Sequence, residues 1–285
     1  MAQKWAGGSR SGHTRGVHNF APPLSPALVI VCVVMVVAAG VVYRVTALGP
    51  ALTVPRAAVR GALQLAAVSG VLAAAIAHLW SSVLVLAVMF GIATITAAGR
   101  SQARGSWWVA ASLALGLLSV LPLLLLSGVV PTTGVALVPV VAIVLGGTMT
   151  AVAVAARRAL DALNVRAGEV EAALSLGFTE RDSRMLVVQQ TAADALLPNL
   201  DQTRTVGVVT LPGAFVGVLL STGSAAQAGA VQILVLVALL LSQSCGVALT
   251  VELVARGRIR REQYERTHRP TDRLIHRAVG IHRPR

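Results

Sequence analysis

The chain has 285 residues, of which 55% are hydrophobic and only 12% charged, with a formal net charge of +13 and a mean hydropathy of +0.76. That composition excludes an ordinary soluble domain, which needs a charged surface around its core, and makes the bilayer the solvent. Lys4 is the only lysine, so no phosphate loop ending in Gly-Lys-Ser/Thr exists and the chain cannot hydrolyse ATP by itself; HExxH and GxSxG are absent as well.

No Asp, Glu, Lys or Arg occurs at 16–43, 61–99, 105–156 or 205–251. With about 20 apolar residues per crossing, the first block holds one helix and each of the others two. An all-α integral membrane protein of about seven transmembrane helices is predicted.

In chain order, residues 1–21 form a flexible basic segment carrying Lys4, Arg10 and Arg15, and 22–255 form the transmembrane domain. The apolar run Pro22–Val42 is longer than a signal-peptide core and lacks a clear cleavage site, so it is read as helix one. The double blocks turn at His78–Ser82, from Ser127 to Gly134, and at Ser221–Ser224, all without charge. Between blocks stand Arg44, Arg56 and Arg60, then Arg100 and Arg104, then 157–204, then the tail from Arg256. Arginine and lysine collect in cytoplasmic loops, which places these joints and the C-terminus inside a cell inner or plasma membrane, and an odd helix count puts the N-terminus outside. Lys4, Arg10 and Arg15 balance Arg44, Arg56 and Arg60, so the orientation of helix one rests on the smallest charge difference.

Cys32 and Cys245 lie in apolar segments and read as packing residues, and His78 as an interfacial one. The basic tail, 256–285, opens with Arg256-Gly257-Arg258-Ile259-Arg260-Arg261 directly after the last helix, a position that points to lipid headgroups rather than nucleic acid. No acid precedes Asp161 and only Glu252 borders a membrane block. Ion-coupled carriers commonly keep a carboxylate within the bilayer, so an external energy source is expected.

The polar segment 157–204 reads as a cytoplasmic helix-turn-helix between helices five and six. Its first helix is predicted over Ala159–Leu176, from Leu160, Leu163, Val170 and Leu174, with Gly177 ending it in the left-handed region. Thr179-Glu180-Arg181-Asp182 starts the second, which is expected to run until Pro198 interrupts it. The tip is apolar through Leu174, Leu176 and Phe178, a shape suited to a groove on another protein.

Helix six contains Thr205-Val206-Gly207-Val208-Val209-Thr210-Leu211-Pro212-Gly213-Ala214-Phe215-Val216-Gly217. Pro212 removes a backbone donor, and in lipid the freed groups must be met by protein or by a water-filled cavity. Thr205, Gly207, Thr210, Pro212, Gly213 and Gly217 are therefore candidates for a helix break or translocation pathway, while Gly213 and Gly217 equally form a GxxxG packing face. Among the remaining intramembrane polar groups, which include Thr148, Ser242 and Gln243, the amides Gln64 and Gln232 stand out, because an unpaired buried amide is costly. Met149 is a soft metal contact or, more simply, packing.

Leu174-Ser175-Leu176-Gly177, Leu197-Pro198-Asn199-Leu200-Asp201, and Arg204-Thr205-Val206-Gly207 through Leu211-Pro212-Gly213, with Gly217 and Gln232, resemble the iron-export and aluminium-tolerance family of ABC permeases. The likeness is densest over 171–235 and extends over 25–255, with Arg60, Gln64, Pro139, Gly146 and Met149 in support. Glu171-Ala172-Ala173 followed by Gly177 also resembles the signature with which many ABC permeases contact their ATPase, although Leu197-Pro198 lies later than in importers. The resemblance implies that Glu171, Leu174, Leu176, Gly177, Phe178 and Thr179 couple to an ATPase subunit, that two permease copies pair, and that ATP and Mg sit on the partner, with no cofactor in this chain. It implies export of iron or another metal by a non-catalytic subunit. Two positions depart from the family: Gly147, where Asn is common, and Ala225, where Pro is common. An ATP-independent channel or carrier, or a membrane scaffold recruiting a soluble partner, is the alternative.

Overall fold

A computed structural model of the chain describes residues 25–75, 79–103, 106–131 and 133–261. The segment 1–21, His78, Arg104 and the tail beyond Arg261 lie outside the described residues. Within them the regular structure is helical, joined by turns, and Val206 and Thr210 form an isolated bridge. The helices are α1 (Pro26–Val45), α2 (Thr53–Ala75), α3 (Leu79–Ser101), α4 (Ser106–Leu126), α5 (Gly134–Val165), α6 (Ala167–Ser175), α7 (Glu180–Ala192), α8 (Leu197–Thr205), α9 (Gly213–Thr222) and α10 (Ala225–Ala255), with a 3-10 turn at Ala193–Leu196 between α7 and α8. Five of them, α1, α3, α4, α5 and α10, are long and apolar enough to cross a membrane. Of the other two expected crossings, α2 carries Arg56 and Arg60 in its first two turns and α9 has only ten residues.

The chain divides into two compact units after Val68. In the first, Pro26 at the start of α1 needs no backbone donor, and the Ser25 hydroxyl accepts from the Leu28 amide. Valines all around α1 are more than half exposed, as a helix bathed in lipid requires. Gly40 is its buried residue, because a Cβ there would lie 3.2 Å from the Ala51 carbonyl oxygen and close to Pro55. Ala47, at φ 53°, turns the chain toward α2.

In the second unit α10 is the central post, packed on α4, α5, α7 and α9, while α3 lies against α4 and α5. One core layer joins Val120, Leu124, Val144 and Ala238. Toward the arginine-rich end a larger one joins Leu113, Val152, Leu160, Val188, Leu253 and Ile259. Between them the helices cross through small residues. A Cβ on Gly116 would lie 2.7 Å from the Ser242 carbonyl oxygen and 2.8 Å from Thr148 Cγ2, and one on Gly246 3.1 Å from Thr148 Cγ2. The Thr148 hydroxyl donates to the Val144 carbonyl at 2.7 Å and lies 2.6 Å from the Ser242 hydroxyl. Close backbone approach and hydroxyls satisfied at home are what let polar residues sit inside a membrane bundle.

Two expectations are corrected. The helix predicted over Ala159–Leu176 is not one element: α5 runs 32 residues from Gly134 through Val165, the chain breaks at Arg166, and α6 follows. Arg166 turns its guanidinium onto Glu169 at 2.6 and 2.5 Å, and the new direction buries Val170 against Ala162 and Val187. Pro198 does not end α7. The 3-10 turn already follows Ala192, and Pro198 opens α8, where its missing N–H leaves no bond unmade. The opening of the tail also packs on the bundle: Ile259 is buried at 1% exposure, Arg258 lies 5.3 Å over the Trp108 ring, and Arg261 donates to Asp161 at 2.5 Å.

Candidate functional site

The turn between α6 and α7 is a small apolar projection on a polar base. Gly177, at φ 90°, ends α6 as only glycine does easily, and the Phe178 amide closes the turn on the Ala173 carbonyl at 3.2 Å. Thr179 then starts α7. Its hydroxyl accepts from the Asp182 amide at 3.2 Å and donates to the Asp182 carboxylate at 2.7 Å. That hydroxyl first, and Arg181 second, hold the Asp182 carboxyl below the usual range. Leu176 is 79% exposed and Phe178 48%, with Leu174 beside them and Glu171 one turn back on α6.

Long-range ion pairs fix this projection to the bundle. The Arg181 guanidinium forks onto Glu252 near the end of α10, Nε to Oε1 at 2.8 Å and Nη2 to Oε2 at 2.7 Å, while Nη1 donates to Asp182 at 2.8 Å. These partners raise the Arg181 pKa, Glu252 most. Arg184 donates to Glu180 at 2.9 Å and to the Ala255 carbonyl at 3.3 Å. Arg158 pairs with Asp194 at 2.8 Å, tying α5 to the 3-10 turn.

The second feature is the break between α8 and α9. The Thr205 carbonyl accepts from the amides of Val208, Val209 and Thr210, and the Gly207 amide, at φ 82°, donates to the Thr210 carbonyl at 2.9 Å. The amides of residues 207–210 are thus paired inside the break, and Thr205 adds a hydroxyl bond to the Asp201 carbonyl at 2.8 Å. The break is not a kinked helix: α9 begins only after Pro212, which offers no side-chain cap. Gln232, buried at 4% exposure on α10, supplies the cap instead, its amide oxygen accepting from the Phe215 amide at 3.2 Å. Gly213 and Gly217 meet nothing within 4 Å where a Cβ would stand, so their face packs on no other described helix.

The other sequence candidates scatter. Gln64 is exposed on α2 rather than buried, on an open groove of about 570 Å³ lined also by Pro55, Arg56, Val59, Arg60 and Leu63. Met149 packs against the larger core layer. No group of three His, Cys, Asp or Glu side chains gathers among the described residues. Sequence reasoning undervalued Gln243, buried at 6% exposure: its amide nitrogen and Leu239 occupy the space that a side chain at 147 would need, which is why Gly147 stands there. The Arg181–Glu252 fork joins positions 71 residues apart and leaves no local signal.

The model of an uncharacterised protein family, UPF0014, matches residues 26–259. The chain belongs to the UPF0014 family. As a UPF0014 member with several bilayer-length helices it is a multi-pass membrane protein. It is 30% identical over 217 residues to the UPF0014 membrane protein STAR2 of Oryza sativa subsp. japonica, covering 75% of each chain. It is 31% identical over 157 residues to Protein ALUMINUM SENSITIVE 3 of Arabidopsis thaliana, covering 54% of this chain and 58% of that one. To the Probable iron export permease protein FetB of Escherichia coli (strain K12) it is 26% identical over 136 residues, 48% of this chain and 52% of that one. The chain thus spans little more than half the length of two of these relatives. No solved structure matches it.

Proposed function

We propose that this UPF0014 protein is the membrane-spanning permease of an ATP-driven ABC transporter that exports iron or a related metal species. The observation that carries the reading is the α6–α7 tip, which presents Leu176 and Phe178 to solvent while its base is pinned by Arg181 and Arg184. An exposed apolar tip on a fixed base fits a groove in a soluble partner. The partner would be an ATPase subunit that brings ATP and Mg, since this chain has no phosphate loop. FetB, named as an iron export permease, supports the metal assignment.

In this reading two copies pair with two ATPase subunits, the arginine-rich end is cytoplasmic, and there are seven crossings. The second is α2 and the sixth is the broken α8–α9 pair. The break and Gln232 lie beside the pathway, and the open Gly213–Gly217 face meets the second copy. Glu171, Leu174, Gly177 and Thr179 shape the docking tip. Replacing Leu176 and Phe178 by Ser should lower ATPase capture in detergent at least tenfold, as loss of an apolar anchor does, without changing the melting temperature. Undiminished capture would remove the tip from the interface. Deleting the gene together with its ATPase should raise cellular iron, and unchanged metal content would exclude iron as substrate. Nucleotide-independent flux through the permease alone in liposomes would favour a channel or carrier instead.

A further inference from the structure

We infer that α10 is a connecting rod that carries movement of the docking tip to the head of α9, with the Arg181–Glu252 fork as its lower joint and the Gln232–Phe215 bond as its upper one. The inference rests on the proposed docking of an ATPase at the α6–α7 turn. Arg181 lies three residues beyond Phe178, and its bidentate hold on Glu252 fixes both distance and angle between α7 and α10. Arg184, with only 18% of its side chain exposed, adds a second tether at the Ala255 carbonyl. Val188, in the next turn of α7, packs in the same core layer as Leu253 and Val254. A push on the tip therefore moves the end of α10 with it.

Above this joint α10 contains no proline, unlike α4 with Pro122 and α5 with Pro139. Glu252 and Gln232 are twenty residues apart, about 30 Å at 1.5 Å per residue, along an uninterrupted helix. At its far end the Gln232 carboxamide holds the Phe215 amide in the first turn of α9. The covalent route from the same tip to α9 passes through the 3-10 turn, α8 and the 206–212 break, where Gly207 and Pro212 interrupt the helix. A force entering at the tip is better transmitted by a continuous helix jointed at both ends than by a chain broken twice. Arg181, Glu252 and Gln232 are thus positioning residues for the transport cycle.

The test uses the full-length permease with its ATPase in nanodiscs, with and without ATP and vanadate, and needs no knowledge of the substrate. Amide exchange is read over 213–217, and ATPase capture is measured in parallel. In the wild type, trapping the nucleotide should change exchange in this segment by about tenfold, a coupling of ordinary allosteric size. Glu252→Gln should keep ATPase capture within twofold and abolish that change, Gln232→Leu should do the same, and the swap Arg181→Glu with Glu252→Arg should restore it. A change that persists in Glu252→Gln, or a wild-type complex in which 213–217 never responds, overturns the rod. So does loss of ATPase capture in Glu252→Gln, which would place the fork in the docking surface. A wild-type permease that captures no ATPase refutes the docking reading itself, a result distinguishable from all of these.

Discussion

Glycines serve opposite purposes on the two flanks of α10. Where α10 meets α4 and α5, a side chain at Gly116 would collide with the Ser242 carbonyl and Thr148, one at Gly147 with Leu239 and Gln243, and one at Gly246 would press on Thr148 and Val152. On α9, which packs against α10 by its other side, Gly213 and Gly217 have open space in front of them. Only the second pair has the i, i+4 spacing associated with helix pairing, yet the unpatterned glycines make the close contacts. Spacing along one helix says that a backbone can be approached; the partner helix decides whether it is.

The largest effect should come from the crowded flank. Gly116→Val must displace the Ser242 carbonyl and Thr148, and such overpacking costs roughly 1–3 kcal/mol or more; a melting temperature in detergent that does not fall would refute the crossing as described. Gln232→Leu should come next, at about 1–3 kcal/mol, because it strips the Phe215 amide of its acceptor. Its signature is faster exchange of that amide, and unaltered protection would mean that α9 is capped by something else. Thr179→Ala should cost about 1 kcal/mol of α7 stability through loss of the cap, read as proteolytic sensitivity at 176–181.

The same cap predicts an acid dependence. The folded-state pKa of Asp182 lies below its ordinary value of 3.8, so its contribution is complete above that value and disappears as pH falls below it. In a titration of the α7 opening equilibrium, Asp182→Asn should lack this acid limb, and an identical limb in the variant would assign it to another carboxyl. The smallest effect belongs to Gly217→Ala, which meets nothing and should shift the melting temperature of the isolated permease by less than that of any variant above. A large loss confined to the paired permease would show where the open face finds its neighbour.

Much of the helical plan was legible because bilayer length and missing charge leave few alternatives: the four charge-free blocks, with the uncharged turns at 127–134 and 221–224, give α1, α3, α4, α5 and α10 almost directly, whereas residues 79–82, expected in a turn, open α3. The break at Arg166 was hidden because Leu163 and Val170 are seven residues apart, a spacing satisfied by a continuous helix and by one interrupted between them. Pro198 was misread because proline is tolerated at a helix start as readily as it forces a stop. At the site, the Gly177 turn and the Thr179 cap are local chemistry and were readable. The attachment of that turn through Arg181 to Glu252, and of α9 through Gln232, is tertiary. Exposure of Gln64 likewise depends on what surrounds α2, which its own residues do not encode.

The shortness of α9 bears on biogenesis. Ten residues rise about 15 Å, half of the hydrocarbon thickness, too little for the insertion machinery to retain alone. Only Gly223 and Ser224 separate it from α10, so in the proposed seven-crossing reading the two helices should enter the bilayer together as a hairpin, α9 waiting on synthesis of the longer one. A nascent chain truncated at Gly223 should leave residues 213–222 accessible to an aqueous thiol probe placed at position 218, and extension to Arg256 should withdraw them.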